Sequence, residues 1–285
     1  MSGSYYVPAS SRWPIIAVAA IGLIAVGAGN ELAHGRGGML LLFGILGILW
    51  VIYQWFADVV YESRAGFYDE QMDRSFRQGM AWFIFSEIMF FAAFFGALFY
   101  VRTFAIPWLD GEGAKGITAL LWPDFTASWP LMSPPSAEVA GPTGVIDPWH
   151  LPLINTILLV ASSITLTFAH HALKANHRFA CLNWLGLTLL LGAIFLVVQG
   201  IEYVEAYRQL GLTLQAGIYG GTFFLLTGFH GVHVTLGALI LATIWLRLMN
   251  GHFSADQHFG FEAAAWYWHF VDVVWIGLFL FVYVF

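Results

Sequence analysis

The sequence is poor in charged residues, and this shortage narrows the class of protein. Of its 285 residues only 10% are charged, whereas 59% are hydrophobic. A soluble domain of this composition could not cover its surface with polar groups. The composition therefore predicts an integral membrane protein.

The sequence also has little cysteine and no clusters of basic residues. The lone Cys181 excludes an internal disulfide and a cysteine-paired metal site, and we interpret it as a small packing residue. The formal net charge is -6, and the chain has no run of Lys and Arg of the kind that binds phosphates. We therefore expect no nucleic-acid partner.

Long apolar runs, by contrast, are abundant and predict seven membrane spans in an all-α protein. Most have about 20 residues, the length that crosses a bilayer. The sixth run is longer but lacks a polar turn, so one long or tilted helix is favoured and two spans are the alternative. The expected spans are 14–30, 37–57, 78–101, 151–172, 179–201, one within 211–246, and 262–285.

Basic residues are distributed unevenly between the two sides of these spans. If the N-terminus is cytoplasmic, the outer side carries only Arg36, Arg102, Lys115 and Arg208. The larger group then lies inside and comprises Arg12, Arg64, Arg74, Arg77, Lys174, Arg178 and Arg247. Because inner loops are usually the more basic, this predicts a cytoplasmic N-terminus and an external C-terminus.

Two segments between the spans are expected to depart from plain helix. The charged segment 58–77 would connect a two-helix hairpin, residues 1–77, to a five-helix bundle, residues 78–285. The segment 103–150 is rich in proline and contains Trp108, Trp122, Trp129 and Trp149. Such a segment cannot be helical throughout, but its aromatic surface can pack. We interpret it as an ordered external cap, with a plain surface loop as the alternative.

Acidic side chains inside the apolar spans are candidate functional groups, because burying an unpaired charge in a membrane is costly. Glu87 lies among apolar residues of the third span, where desolvation favours the neutral acid. A hydrogen bond to a neighbouring helix is the simpler interpretation, and a proton relay is the alternative. Glu202 and Glu205, near the end of the fifth span, are expected to reach water. No chain of acids crosses the bilayer, so a complete proton pathway is not expected.

The ten histidines raise the question of a haem or metal site. His230 and His233 stand beside small residues, which is typical of close helix packing with polar side chains bonded across an interface. His269 and Asp272 are three residues apart on the last span and could pair with one another. We therefore favour structural histidines and predict no metal ligand. The alternative is a membrane redox enzyme that uses His170, His230, His233 or His269.

Several motifs follow one another in an order that resembles subunit III of the haem–copper cytochrome c oxidases. They lie at 86–91, 152–156, 169–171, 219–233 and 259–275, and the last is similar almost residue by residue. The first span matches only in position, and the 103–150 segment departs from the compact form of the family.

This resemblance implies an architecture and a set of partners. The seven helices would form two bundles, spans 1–2 and spans 3–7, separated by a V-shaped cleft filled with phospholipid. The chain would bind no redox cofactor itself and would dock on the catalytic subunit I, with subunit II nearby. Haem and copper would lie in those partners, and cytochrome c would be reached through the complex. The subunit would stabilise subunit I, support proton uptake and hold lipids in a cleft that could admit oxygen.

The resemblance also implies roles for individual residues. Glu87 corresponds to the family's intramembrane glutamate. A histidine that the family often has after the counterpart of Glu62 is replaced here by residues 66–68. An arginine at a helix end suits a phosphate, although snorkelling would explain Arg247 as well. The positions that correspond to lipid contacts are Trp55, Glu62, Tyr203, Arg247 and His252.

Related functions are the remaining alternatives. A quinol oxidase subunit III typically lacks the first two helices and the 262–268 motif, so both features favour cytochrome c as the electron donor. A transporter is disfavoured because the sequence has no paired broken helices or repeats. We expect a bacterial-type plasma membrane rather than a mitochondrial inner membrane.

Overall fold

The computed structural model describes residues 11–136 and 138–285, without the side chains of residues 114 and 115. Within these ranges the chain is all-α and has no strand, which confirms the predicted fold class. Among the described residues, seven helices are long and apolar enough to cross a membrane. They are α1 (Trp13–His34), α2 (Gly38–Arg64), α3 (Glu70–Tyr100), α4 (Leu151–Lys174), α5 (Arg178–Gln209), α6 (Gly217–Met249) and α7 (Phe259–Leu278).

The observed helices differ from the predicted spans mainly by being longer. The sixth is a single helix of 33 residues, so division into two spans is excluded. The segment 58–77, expected to depart from plain helix, is mostly helical, because α2 ends at Arg64 and α3 begins at Glu70. Its charges support helix ends. Asp69 accepts the backbone N–H of Met72 at 2.8 Å as an N-cap, and Asp73 and Arg77 pair at 2.7 Å.

The chain divides into two compact units, Met1–Gln78 and Gly79–Phe285, as the expected two-bundle arrangement requires. In the first unit, α1 and α2 form a hairpin whose backbones approach closely at glycine. A Cβ atom at Gly27 would lie 2.4 Å from the backbone nitrogen of Leu41, and one at Gly44 would lie 2.7 Å from that of Ile24. Small residues of this kind allow membrane helices to pack backbone to backbone.

The second unit is built around α7, which is the most buried of the seven spans. Trp268 and Trp275 on this helix are fully buried. The ring of Trp268 lies against Gly192 of α5 and Gly237 of α6, where an added Cβ would come within 2.8 and 2.9 Å of ring atoms. The two glycines therefore make room for the large side chain at the centre of the unit.

The segment that follows α3 packs onto the second unit. A π-helical turn (Val101–Ala105), a single α-turn (Ile106–Leu109) and a 3-10 helix (Gly113–Leu120) lead into irregular chain. Phe125, Leu131 and Ile146 are buried in the hydrophobic core. The ring of Trp129 meets that of Tyr219 edge to face at 5.4 Å. The expectation of an ordered cap is confirmed for the described part of this segment.

Candidate functional site

The polar side chains inside the second unit mainly join one helix to another. Trp268 and Trp275 of α7 donate their indole N–H groups to Ser162 at 2.9 Å and Thr156 at 3.0 Å, both on α4. Further bonds of this kind are Tyr203 to Thr227 (α5 to α6) and Thr165 to Thr188 (α4 to α5), each at 2.8 Å. Because lipid offers no competing partner, these bonds fix which faces of the helices meet.

Glu87 pairs with His233, which the sequence did not predict as a partner. Its carboxyl oxygen lies 2.7 Å from Nε2 of His233, joining α3 to α6. The other ring nitrogen, Nδ1, lies 2.6 Å from the carbonyl oxygen of Phe229 and must donate to it. Nε2 of a neutral ring is then an acceptor, so the close contact requires one proton shared between Glu87 and His233.

Glu202 lies in a buried cluster, so the expectation that it reaches water was wrong. Its side chain is 0% exposed. Its Oε1 accepts hydrogen bonds from Nε2 of Gln199 at 3.0 Å and from the hydroxyl of Tyr283 at 2.6 Å. Gln199 in turn accepts from Asn155 of α4 at 3.3 Å. The cluster therefore ties α4, α5 and the C-terminal turns that follow α7.

The remaining polar residues of helices α6 and α7 also bond across interfaces. Nε2 of His230 donates to the carbonyl oxygen of Val271 at 3.1 Å. His269 lies 3.2 Å from the hydroxyl of Ser163 on α4. Asp272 is buried, and its Oδ1 has no hydrogen-bond partner among the described residues. His269 and Asp272 are close enough to interact electrostatically, as their spacing predicts, and a hydrogen bond of the His269 ring goes to Ser163.

Two of the histidines named in the redox alternative, His170 and His230, lie far apart. His170 lies near the start of α7, where its ring packs against Phe261 at 5.5 Å. His230 bonds instead to the carbonyl of Val271, about 15 Å further along the same helix at 1.5 Å per residue. Axial ligands of a haem bind the same iron atom, so His170 and His230 cannot serve together as such a pair.

In the first unit, the two expected lipid contacts lie on the last part of α2. Trp55 is exposed on the helix surface. Glu62 accepts a hydrogen bond from the hydroxyl of Tyr68 at 2.8 Å. Tyr68 belongs to residues 66–68, the segment that the resemblance places where the family often has a histidine.

In the second unit, the expected lipid contacts lie at two separate places along α6. Tyr203 of α5 bonds to Thr227 in the first half of α6, whereas Arg247 is 20 residues further on, about 30 Å along the axis. The backbone N–H of His252 donates to the carbonyl of Arg247 at 3.1 Å, so these two residues stay together. Tyr203 therefore cannot share one headgroup with Arg247 and His252.

A groove between α5 and α6 lies beside Tyr203. Its volume is about 370 Å³, and its walls are mostly apolar. Gly200 of α5 and Gly228 and Gly231 of α6 line the groove and leave space where larger side chains would fill it. Its lining also includes Gln199 and Tyr203. A groove of this shape and polarity suits a hydrocarbon chain or a small apolar molecule.

Arg247 is half-buried at the end of α6. Its guanidinium carbon lies 4.5 Å above the ring of Phe253, which is a cation–π contact. Its Nε is buried without a hydrogen-bond partner among the described residues. Nearby, Arg178 donates to the carbonyls of Leu248 and Met249 at 2.8 and 2.6 Å and so caps the helix. Because Arg178 already binds these carbonyls, the guanidinium of Arg247 is available to bind an anion.

Sequence reasoning missed the Glu202 cluster and the partner of Glu87. Gln199 and Glu202 are three residues apart on α5, which places them on one helix face and was an available signal. Tyr283 and His233 are 81 and 146 residues away from their acidic partners. No local pattern in a single sequence identifies contacts at such distances.

Comparison with known proteins gives consistent matches along the chain. A family model described as "Cytochrome c oxidase subunit III" matches residues 3–109 and 117–285. Proteins named "Cytochrome c oxidase subunit 3" from Formosania lacustris and Dugong dugon are each 38% identical over 98% of this chain and 96% of their own. The protein of the same name from Gadus morhua is 37% identical over the same shares.

The family match covers the first span and leaves out residues 110–116, which lie within the 103–150 segment. The break in the match therefore falls inside the segment that was expected to depart from the compact form of the family.

Proposed function

Because this chain belongs to the cytochrome c oxidase subunit III family, we propose that it is a non-catalytic subunit that stabilises the catalytic subunit of the oxidase. The observation that supports this proposal is that polar side chains inside the second unit bond one helix to another. Glu87, Glu202, His230 and His269 each bond to another helix. Side chains engaged in this way hold the helices together as a rigid body, which supports a stabilising role.

Docking on a partner is supported by the outer surface of the second unit. Trp82, Phe85, Ile88 and Met89 of α3 are all exposed apolar side chains. In a membrane such residues meet lipid or a neighbouring subunit. We propose that subunit I, with subunit II, covers part of this unit, and that cytochrome c is reached only through the complex. The curated relatives are named for cytochrome c oxidase, so a quinol oxidase is not favoured.

Phospholipid binding is the second part of the proposal. Arg247 lies in the last turn of α6 with a buried Nε that has no hydrogen-bond partner among the described residues, and an anionic headgroup there would pair with its guanidinium. The groove beside Tyr203 would accept an acyl chain along the middle of α6. The same apolar groove would also admit oxygen, which partitions into hydrocarbon.

A contribution to proton uptake is supported by the Glu87 and His233 pair. The pair lies within the membrane and holds a proton between two groups that can exchange it. The described residues offer no chain of acids from this pair to both faces of the membrane. We therefore propose that the pair influences proton delivery in the catalytic subunit and does not conduct protons alone.

The membrane and the orientation remain proposals. The spans support a multi-pass membrane protein. The relatives named above are animal proteins, so the comparison lends no support to the bacterial-type plasma membrane that the sequence suggested. We propose a cytoplasmic N-terminus and an external C-terminus, and this orientation is supported by the distribution of Arg and Lys alone.

Purification of the intact complex through a tag on this chain tests the proposed function. We expect mass spectrometry to find the catalytic subunits, and the spectrum to show haem that stays with them when this chain is removed. Removal should leave the initial oxidase rate near normal and shorten the working life of the enzyme. Haem that travels with the isolated chain would overturn the non-catalytic assignment.

A further inference from the structure

Three potential metal ligands meet where α4 ends and α7 begins. His170 lies near the end of α4, His258 directly precedes α7, and Glu262 lies in the first turn of α7. The sequence-based prediction of no metal ligand did not consider this grouping, in which the two histidines are 88 residues apart along the chain and the fold brings them together.

Two of the three distances between ligand atoms are close to those of a tetrahedral metal site. Oε1 of Glu262 lies 3.3 Å from Nε2 of His258 and 3.6 Å from Nε2 of His170. One ligand atom from each of the three residues lies within 4.8 Å of the others. Bonds of about 2.0–2.1 Å to a tetrahedral zinc ion place neighbouring ligand atoms about 3.3–3.4 Å apart. The carboxylate is therefore positioned to share an ion with each histidine.

The histidines of this cluster lack other partners. Nε2 of His170 and both ring nitrogens of His258 are buried without a hydrogen-bond partner among the described residues. His258 is only 9% exposed. Buried polar atoms are normally satisfied, and each exception needs an explanation. An ion between the three side chains would satisfy the two Nε2 atoms.

A simple ion pair explains the cluster less well than a metal does. Charge-assisted hydrogen bonds have lengths of about 2.7–2.9 Å. The pair of Glu87 and His233 in the same unit reaches 2.7 Å, whereas the distances from Glu262 to the two histidines are 3.3 and 3.6 Å. The distances between Glu262 and the two histidines are thus longer than those of charge-assisted hydrogen bonds.

We propose that His170, His258 and Glu262 form a binding site for a divalent transition-metal ion of the Zn²⁺ type. Two imidazoles and one carboxylate are ligands that Zn²⁺ accepts, whereas Mg²⁺ and Ca²⁺ prefer oxygen alone. The fourth position stays open to water. The side chain of His170 is 28% exposed, which gives the ion a way in. Nothing in the proposal depends on membership of the oxidase complex.

Zn²⁺ binding to the full-length chain in detergent, after treatment with a chelator, tests the site. We expect one ion per chain by calorimetry, with no displacement by excess Mg²⁺. His258→Ala, His170→Ala and Glu262→Gln should each weaken binding by about tenfold or more. His171→Ala is the matched control, because His171 is the exposed neighbour of His170, and it should bind as the wild type does.

X-ray absorption at the zinc edge of the wild-type chain provides a measurement that needs no variant. We expect two imidazoles and oxygen ligands around the ion. A shell of oxygen alone, no Zn²⁺ binding, or unchanged affinity in a folded His258→Ala variant would each overturn the proposal. Circular dichroism identifies any variant that has lost its helices. If a variant is unfolded, the X-ray absorption measurement on the wild-type chain decides whether the site binds Zn²⁺ through histidine.

Discussion

The two units hold their helices together by different means. In the hairpin of α1 and α2, glycines allow the two backbones to touch, and a side-chain hydrogen bond from Trp13 to Asp58 at 2.7 Å joins the ends of the helices that lie away from the turn. In the second unit, polar side chains bond between helices along the length of α4 to α7. The hairpin depends on glycines, which have no side chain, whereas the second unit depends on hydrogen bonds between polar side chains. The two units should therefore lose stability under different substitutions.

The largest effect is expected from adding a methyl group where the backbones touch. Gly27→Ala would place Cβ 2.4 Å from a backbone nitrogen, and backbone cannot move aside cheaply. We expect the hairpin to lose about 2–3 kcal/mol of stability in thermal or denaturant unfolding in detergent. Gly22→Ala is the control, because a Cβ there meets nothing within 4 Å. Equal stability of the two variants would contradict the backbone-contact explanation.

Removal of the acceptor from the Glu202 cluster should have the next largest effect. Glu202→Ala leaves the hydroxyl of Tyr283 and the amide of Gln199 buried without this partner. We expect a loss of about 2 kcal/mol in the stability of the second unit. Glu205→Ala, on the same helix but less buried, should cost much less. A similar loss in both variants would show that the cluster has no special role.

Replacement of Glu87 by an amide should have a smaller effect. The side chain of Gln can donate an N–H to Nε2 of His233 where the acid shared a proton. We expect Glu87→Gln to leave assembly intact and electron transfer largely normal, with a stability change within about 1 kcal/mol. His233→Ala tests the pair from the other side, and a double-mutant cycle isolates their coupling. A complex that fails to assemble with Glu87→Gln would refute this expectation.

The smallest effect on the fold is expected at Arg247. Arg247→Ala removes the cation stacked on Phe253 without touching the helix cap made by Arg178. We expect the chain to fold normally, lose a bound phospholipid, and shorten the working life of the oxidase. Native mass spectrometry of the complex measures the lipid. Arg64→Ala, at the end of α2, is the control, and equal lipid content in both variants would count against the headgroup site.

The sequence predicted the membrane spans well because burial in lipid leaves a direct compositional record. All seven spans and the single long α6 were found from apolar runs. The ends of α2 and α3 were missed, because hydropathy falls where a helix leaves the membrane, although the helix itself continues. There Asp69 and Asp73 act as a cap and a salt-bridge partner, and charge was mistaken for a loop.

The candidate sites were predictable only in part. Polar residues inside apolar spans could be recognised as unusual, and Glu87, His230, His233 and His269 were singled out for that reason. Their partners could not be derived, because helix rotation about its own axis decides which neighbour a side chain meets. Glu202 shows the consequence, since its position near a helix end suggested water and the packing of Tyr283 instead removes it from solvent.

The central place of α7 has a consequence for how the protein is made. Ribosomes deliver α3 to α6 to the membrane before the helix whose tryptophans occupy the space between them. Those four helices must wait, loosely associated, until residues 259–278 have been inserted, because Ser162, Gly192 and Gly237 meet Trp268 only then. If translation stalls before this point, the bundle remains incomplete. Quality-control proteases would then degrade it before a partner subunit could bind.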